Sequence, residues 1–364
     1  MICIKKNSLK KSCRDERGEG KRIEVKGSTT IPTDWNEFLK NDLNKTELFE
    51  FLADSIQKTS FEFKKVIVTK NENALIAASD FISTTLSKCF QEEADTRLVF
   101  HVMDGIQSDK AETIVVRTVN TDVLVIFIAL YSFLKELSPH DLNIWLLMGI
   151  SNDTEYINVG EIADVIGKDK AQGLMMFHTL SGTSFLAGKG KKSFWKAWAA
   201  LPEATEVLSF CYENPFVELP VDMFNIVETF FVVLFDLTSD TSDINEIRRK
   251  HFMEKGRPTE FLPPTHHALI EHVKRCQYQA SIWATSTTRQ KNLPDPTLWG
   301  WEKHDAKDMY VPYWTTKDIA SKECSFLVKC SCKTTCGNKR CSCSKNGWKC
   351  TDLCKCTCVI SPKR

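Results

Sequence analysis

The chain has 364 residues, 42% of them apolar and 26% charged, with a formal net charge of +1. That length holds two or three domains of ordinary size and is ample for a buried core. The apolar runs at 123–134, 142–150 and 229–237 are interrupted or too short for the roughly 18 to 20 residues a membrane-spanning helix needs. The start, MICIKKNSLKKSC, has basic residues with no apolar stretch behind them, so a secretory leader and a membrane partner are both unexpected and a reducing, intracellular setting is expected.

Charge is laid out unevenly. The first 26 residues carry nine Lys or Arg against four acids, a net +5; residues 321–364 carry ten against Glu323 and Asp352, a net +8; the stretch between them is left with −12. Basic ends on an acidic body point to contact with nucleic acid or another polyanion, although for the first 26 residues a solvated charged tail is the commoner arrangement.

In chain order, residues 1–30 are rich in Lys, Arg, Gly and Ser without periodicity and predict a basic, flexible N-terminus. A folded body over 31–243 follows. Thr46 to Lys58 has helical spacing of its apolar residues with Thr46 as cap, FEFKKVIVT predicts a strand, and Glu92 to Val102 predicts a helix opened by acidic residues that suit its positive end. The runs Thr113 to Val119, Val123 to Ala129 and Asn143 to Met148 are β-branched or aromatic with little alternation, as expected of strands covered on both faces. Helical patterns at Val159 to Ile166 and Lys170 to Leu180 follow them, and strands alternating with helices predict an α/β fold with a parallel sheet. Residues 244–320 predict a helical and Trp-rich connecting region, with helices at Ile244 to Lys255 and His266 to Gln277 and a loop-rich end containing Trp299, Trp301 and Trp314.

Nine of the fifteen cysteines fall between Cys330 and Cys358, as C-x-C-x3-C-x4-C-x-C-x6-C-x3-C-x-C-x-C. Disulfides are rare in reducing compartments, so a cluster of this density predicts a metal site. Zinc takes four tetrahedral thiolates, and a C-x-C pair is better placed to serve neighbouring ions than to close one alone. Three ions need about twelve ligand places, which Cys330, Cys332, Cys336, Cys341, Cys343, Cys350, Cys354, Cys356 and Cys358 fill if three of them bridge. The tail, roughly Lys329 to Val359, resembles the CXC domain of tesmin-type proteins, whose members wrap a short chain around three zinc ions and bind DNA. The resemblance implies DNA contact by Lys339, Arg340, Lys345, Lys349 and Lys355. Here the first spacer is x3 rather than x4, and Arg340 stands where tesmin-type members have a DNA-contacting tyrosine, as in CXC domains of chromatin-associated proteins; arginine is suited to a narrow minor groove. Three readings stay open for this 321–364 domain: DNA binding, a zinc-stabilised structural knob, and a metal buffer.

In the body, Glu92, Glu93 and Asp95 open one helix, and Asp122 lies between two apolar runs. Carboxylates at strand ends and helix starts hold hard divalent cations for phosphodiester hydrolysis, but the same acids also serve as ordinary caps and turns. The stretch from about Pro32 to Trp314 resembles a group of transposon-associated animal proteins, often with a C-terminal CXC tail, whose middle is PIN-like or flap-endonuclease-like. The segments that carry it are NKTELFEFLAD, QEEADTRLVFHV, RTVNTDVLVIF, FHTLSGTSFLAGKGKKSFWKAW, LPPTHHALIEHVKRCQYQASIWA and LWGWEK. The resemblance implies Glu93, Asp95 and Asp122 as catalytic ligands for magnesium or manganese, with the 188–192 loop GKGKK approaching the substrate backbone. Where those proteins show T-x-D-T-D this chain has Thr118, Asn120 and Asp122; where they show T-G-C-D-T-T-S it reads Ser181, Gly182, Thr183, Ser184; and the acidic strand expected upstream has no counterpart, so the body reads as truncated at its N-terminal side. His101 and His178 read as packing or surface histidines. The expected fold is thus a parallel-sheet PIN-like α/β domain followed by a small cysteine-rich zinc-cluster domain. The leading expectation for function is a nuclear, zinc-dependent DNA- or chromatin-binding protein derived from a mobile element, its nuclease-like body inactive. The alternatives are a divalent-metal nuclease targeted to DNA by its tail, and an assembly protein whose zinc serves folding alone.

Overall fold

The computed structural model describes residues 20–364 apart from 80–82, 84, 92, 151–152, 183–185, 254–260, 290–292, 305–308, 316–329, 334–335, 337–340, 346–349, 351–353 and 358–364. The chain divides into two compact units, one ending at Tyr313 and the other beginning at Trp314.

The first unit opens with two helices, α1 (Trp35–Lys40) and α2 (Asp42–Gln57). Helix α2 starts four residues before the expected Thr46, because the Asn41 side chain accepts from the N–H groups of Leu43 and Asn44, at 3.1 and 3.2 Å. Asn is at least as strong an N-cap as Thr, and Thr46 lies inside the helix with its hydroxyl bonded to the Asp42 carbonyl. The fully buried Asn44 ties the extended segment before α1 onto α2, accepting from Ile23 N–H and donating to the carbonyls of Lys21 and Phe38. The strand expected from Phe61 is short: β1 (Ile67–Lys70) pairs antiparallel with β2 (Asn73–Ile76). Buried Arg97 of α3 (Ala94–Gln107) donates to the carbonyls of Asn71 and Asn73, pinning this hairpin to the helix.

The central sheet has three strands: β3 (Thr113–Thr118), β4 (Asn143–Ile150) and β5 (Asp153–Asn158). Strand β3 runs parallel to β4, with Val116 opposite Leu146, and β5 returns antiparallel, with Leu147 opposite Tyr156. The expected parallel sheet therefore reduces, among the described residues, to one parallel pair in a mixed sheet. One face is buried, with Val116, Ile144 and Leu146, whereas the other is only partly covered: Trp145 and Leu147 are half-buried, and Val115 and Tyr156 are 52% and 60% exposed.

The run Val123 to Ala129 is the clearest departure, because it forms the heart of α4 (Thr121–Leu137), not a strand. Its apolar content continues to Leu134, too long for an ordinary strand. Asn120 caps it, Asp122 sits in its first turn and Lys135 in its last, an arrangement that suits the helix dipole. β-Branched residues tolerate this helix because burial on nearly every side outweighs a propensity penalty of tenths of a kcal/mol each.

Four helices follow the sheet: α5 (Val159–Ile166), α6 (Lys168–Ser181), α7 (Lys191–Ala200) and α8 (Ala204–Glu213), with α9 (Val221–Phe235), α10 (Ile244–Met253) and α11 (His266–Ala284) after them. Helix α6 is buried from Ala171 through Ser181. Gly173 permits this, since a Cβ there would meet Leu208 Cβ at 3.2 Å and Trp198 Cζ2 at 3.3 Å, so its neighbours approach closely. Residues 244–313, expected as a connecting region, contribute Ile244, Ile247, Leu269, Val273 and Trp283 to the same core as the sheet, and end in an antiparallel hairpin of β6 (Trp301–His304) and β7 (Met309–Pro312). Among the described residues no helix is long and apolar enough to cross a membrane.

The second unit has little regular structure beyond the short α12 (Ser342–Lys345), and its core is sulfur: Cys330, Cys341, Cys343 and Cys356 are buried, with Cys332, Cys336, Cys350 and Cys354 packed against them.

Candidate functional site

Two constellations carry chemistry, one in each unit. In the body, the parallel pair delivers β3 to a turn at its C-terminal end, the side on which open α/β sheets hold their ligands. There Asn120 caps α4, its Oδ1 accepting from the Asp122 N–H at 3.0 Å. The other end of the same amide, Nδ2, donates to Asp95 Oδ2 at 2.8 Å and to Asp122 Oδ2 at 3.3 Å. Asp95 arrives from the first turn of α3, whose N-cap is Glu93. Of the three carboxylates predicted from the sequence, Asp95 and Asp122 are thus brought together after β3, whereas Glu93 caps the helix that carries Asp95, and the three do not come within 4.8 Å of one another as a ligand group; Glu92 lies outside the described residues.

Each carboxylate meets a donor supplied by the protein. Asp122 Oδ1 lies 3.0 Å from His178 Nε2. The His178 ring packs on Trp283, with centroids 5.9 Å apart, and the Trp283 indole N–H points to Glu93 Oε2 while Gln279 Nε2 points to Oε1, both at 3.4 Å. His178, Gln279 and Trp283 were not identified as site residues from the sequence. His178 does pack, as expected, but its imidazole also pairs with a site carboxylate. The single histidine in LMMFHTL gives no hint of this, because the pairing depends on α6 crossing the start of α4. Asn120 was visible in the sequence as an amide in place of a carboxylate, yet its bridging position required the fold. His101 stands apart: it is half-buried beside the Thr69 hydroxyl, and burial followed by the charge of Arg97 holds its pKa below the usual imidazole value. The 188–192 loop does not present all its lysines outward, since Lys189 donates to the Leu234 carbonyl and lies over the Phe235 ring.

The second constellation is the cysteine cluster. Sulfur atoms of Cys330, Cys336, Cys341 and Cys350 lie within 4.8 Å of one another, and so do those of Cys330, Cys350, Cys354 and Cys356. Thiolates at about 2.3 Å from a tetrahedral ion sit about 3.8 Å apart; the Cys330–Cys336 and Cys343–Cys354 sulfurs are at 3.5 and 3.6 Å. The cluster can therefore hold a metal ion, and its all-sulfur donors suit a soft or borderline one. Cys330 and Cys350 belong to both groups, which is the position of bridging ligands. The fold brings the ends of the motif together through the Lys355 N–H, which donates to the Cys330 carbonyl, and the Cys330 N–H, directed at Cys354 Sγ. The Ser344 N–H at its sulfur is the main influence drawing Cys341 down to about 6, whereas burial pushes Cys330 up to about 12 and Cys343 to about 11.

No protein-family model matches this chain, and neither does any curated protein or solved structure. Of the residues expected to meet DNA, Lys355 is exposed and Lys345 ends α12; Lys339, Arg340 and Lys349, like the ninth cysteine Cys358, lie outside the described residues.

Proposed function

We propose that the protein is a zinc-dependent DNA- or chromatin-binding protein, derived from a mobile element and acting in the nucleus, whose nuclease-like body no longer cuts. The observation that carries the second half is the Asn120 amide, which sits between Asp95 and Asp122 and donates to both. Two-metal hydrolysis needs carboxylates concentrated around ions about 4 Å apart. Here a neutral side chain supplies hydrogen-bond donors where ions would otherwise sit, His178 meets the other Asp122 oxygen, and Gln279 and Trp283 meet the two oxygens of Glu93.

In the tail, zinc fits the sulfur-only donor groups. Cys330, Cys336, Cys341 and Cys350 would hold one ion, and Cys330, Cys350, Cys354 and Cys356 a second. Cys332, Cys343 and Cys358 would be left, with a shared sulfur, to hold a third. Three Zn²⁺ and nine thiolates sum to −3, so the +8 of residues 321–364 falls to about +5, still suited to phosphate. Bound zinc would supply the cross-links of a segment too small for an apolar core, and Lys339, Arg340, Lys345, Lys349 and Lys355 are the residues that would meet phosphate.

A second reading, a magnesium- or manganese-dependent nuclease using Glu93, Asp95 and Asp122, is favoured by the meeting of Asp95 and Asp122 after one strand end, with Glu93 capping the helix of Asp95. One experiment separates the two: the zinc-loaded protein is titrated onto duplex DNA across a salt series, with and without magnesium, and the same samples are examined for strand cleavage. Salt-sensitive binding with intact DNA is the expected result. Magnesium-dependent cleavage that is lost in Asp122→Asn would replace the first reading by the second, and binding indifferent to salt and zinc would leave the tail a folding device.

A further inference from the structure

The body carries one stretch whose charge opposes its own. From Lys170 to Pro202 there is no Asp or Glu in 33 residues, while Lys170, Lys189, Lys191, Lys192 and Lys196 are present, inside a segment that is otherwise strongly acidic. The fold gathers most of this charge on α7. Phe194, Ala197 and Trp198 face the core, and the rest of the helix surface shows Lys191, Lys192 and Lys196 to solvent, with Trp195 half-exposed at its border. Among the described residues no carboxylate pairs with Lys191, Lys192 or Lys196. Lys191 and Lys192 also occupy the first turn, where the helix dipole disfavours cations, and Gly190 provides no side-chain cap. An anion on this face would relieve both.

Trp195 makes the surface more specific than a basic patch. It is 44% exposed, yet it is held by edge-on contacts with Phe177 and Trp198, at centroid distances of 5.5 and 5.4 Å. An indole held in place on a helix with three lysines that have no carboxylate partner among the described residues is the arrangement that grips single-stranded nucleic acid: cations follow the backbone, and an aromatic face stacks on a base without regard to its identity. A duplex offers phosphates to lysines but no unstacked base to the indole.

We propose that the exposed face of α7 binds a single-stranded segment of nucleic acid, with Lys191, Lys192 and Lys196 against phosphates and Trp195 stacked on a base. The inference extends the reading of the protein as a DNA binder but uses residues separate from the tail. The two are therefore separable by experiment. The full-length, zinc-loaded protein is titrated with a fluorescent oligo(dT) 12-mer and with a duplex of equal length, each over a salt series. Trp195→Ala should weaken oligo(dT) binding about 5- to 150-fold and leave duplex binding unchanged. Because that truncation removes packing from Phe177 and Trp198, the exposed pair Lys192→Gln/Lys196→Gln serves as the second variant. It should lower the salt slope for oligo(dT) by about 1.4 with an unaltered melting temperature. Arg340→Ala should do the converse, weakening the duplex alone. Oligo(dT) binding unchanged in both α7 variants would overturn the inference whatever the tail does, and equal losses for oligo(dT) and duplex would overturn its assignment to single strands. Loss of duplex binding on zinc removal bears on the tail alone.

Discussion

Replacing Asn120 by aspartate tests whether an amide has closed the body's acidic centre. The cap survives, since Asp accepts from the Asp122 N–H as well as Asn does. Two donations to charged acceptors, at 2.8 and 3.3 Å, are lost, each worth about 1.5–3 kcal/mol to a carboxylate. A third negative charge takes their place in a half-buried pocket, where the Asp122 side chain is 27% exposed. The longer bond and partial solvation put the cost at the lower end, about 3 kcal/mol. Urea denaturation at neutral pH should show that loss for Asn120→Asp in chelator. Manganese at one hundred times its dissociation constant should return about 2.7 kcal/mol, because three carboxylates then surround a cation in place of an amide. The wild-type protein should gain nothing from manganese in the same assay. A wild-type midpoint that rises with manganese would refute the reasoning, as it would show Asp95 and Asp122 open to a cation despite Asn120. An Asn120→Asp protein as stable as wild type without metal would refute it equally.

Other outcomes follow from the same geometry. Cys350→Ser, which removes a sulfur shared by two donor groups, should lower zinc content by more than Cys332→Ser does, measured by metal analysis after gel filtration; equal losses would contradict the bridging assignment. Arg340→Ala should leave zinc content intact while reducing the salt slope of duplex binding by about 0.9; a zinc loss in this variant would show that Arg340 serves folding instead. Burial, with the nearby charge of Arg275, holds buried His272 down at about 3, against an ordinary value of 6.5. The unfolded chain therefore binds a proton that the folded one refuses, so stability is complete above about pH 6.5 and falls progressively toward pH 3. His272→Gln should flatten the urea midpoint between pH 6.5 and 4, and an unchanged slope would show that other groups govern the acid limb.

Much of the local structure was legible in the sequence because it is governed by neighbours along the chain. The extents of β3 and of α5 follow from apolar runs and turn residues, and the capacity of the tail to hold a metal ion follows from cysteine density. The helix over Thr121–Leu137 is hidden by β-branched composition that resembles a strand, and its signals in the sequence are the length of the apolar run and the Asn120 cap. The sheet was expected to be covered on both faces from the apolar content of its strands, and nothing in Val115 or Tyr156 announces that these side chains face outward.

What the amino-acid order determined by itself is therefore composition-level chemistry: nine cysteines within 29 residues, acids near Glu93 and Asp122, and basic ends on an acidic body. Tertiary structure decided the partners. Asn120 bridging Asp95 and Asp122, His178 reaching Asp122 across 56 positions, and Trp283 reaching Glu93 across 190 depend on helices crossing. The same holds for the exposure of Trp195, which lies three residues before the buried Trp198 on one helix. Spacing along a chain reports which side chains share a helix face or a strand end, whereas hydrogen bonds and burial depend on what another part of the chain brings within a few ångströms.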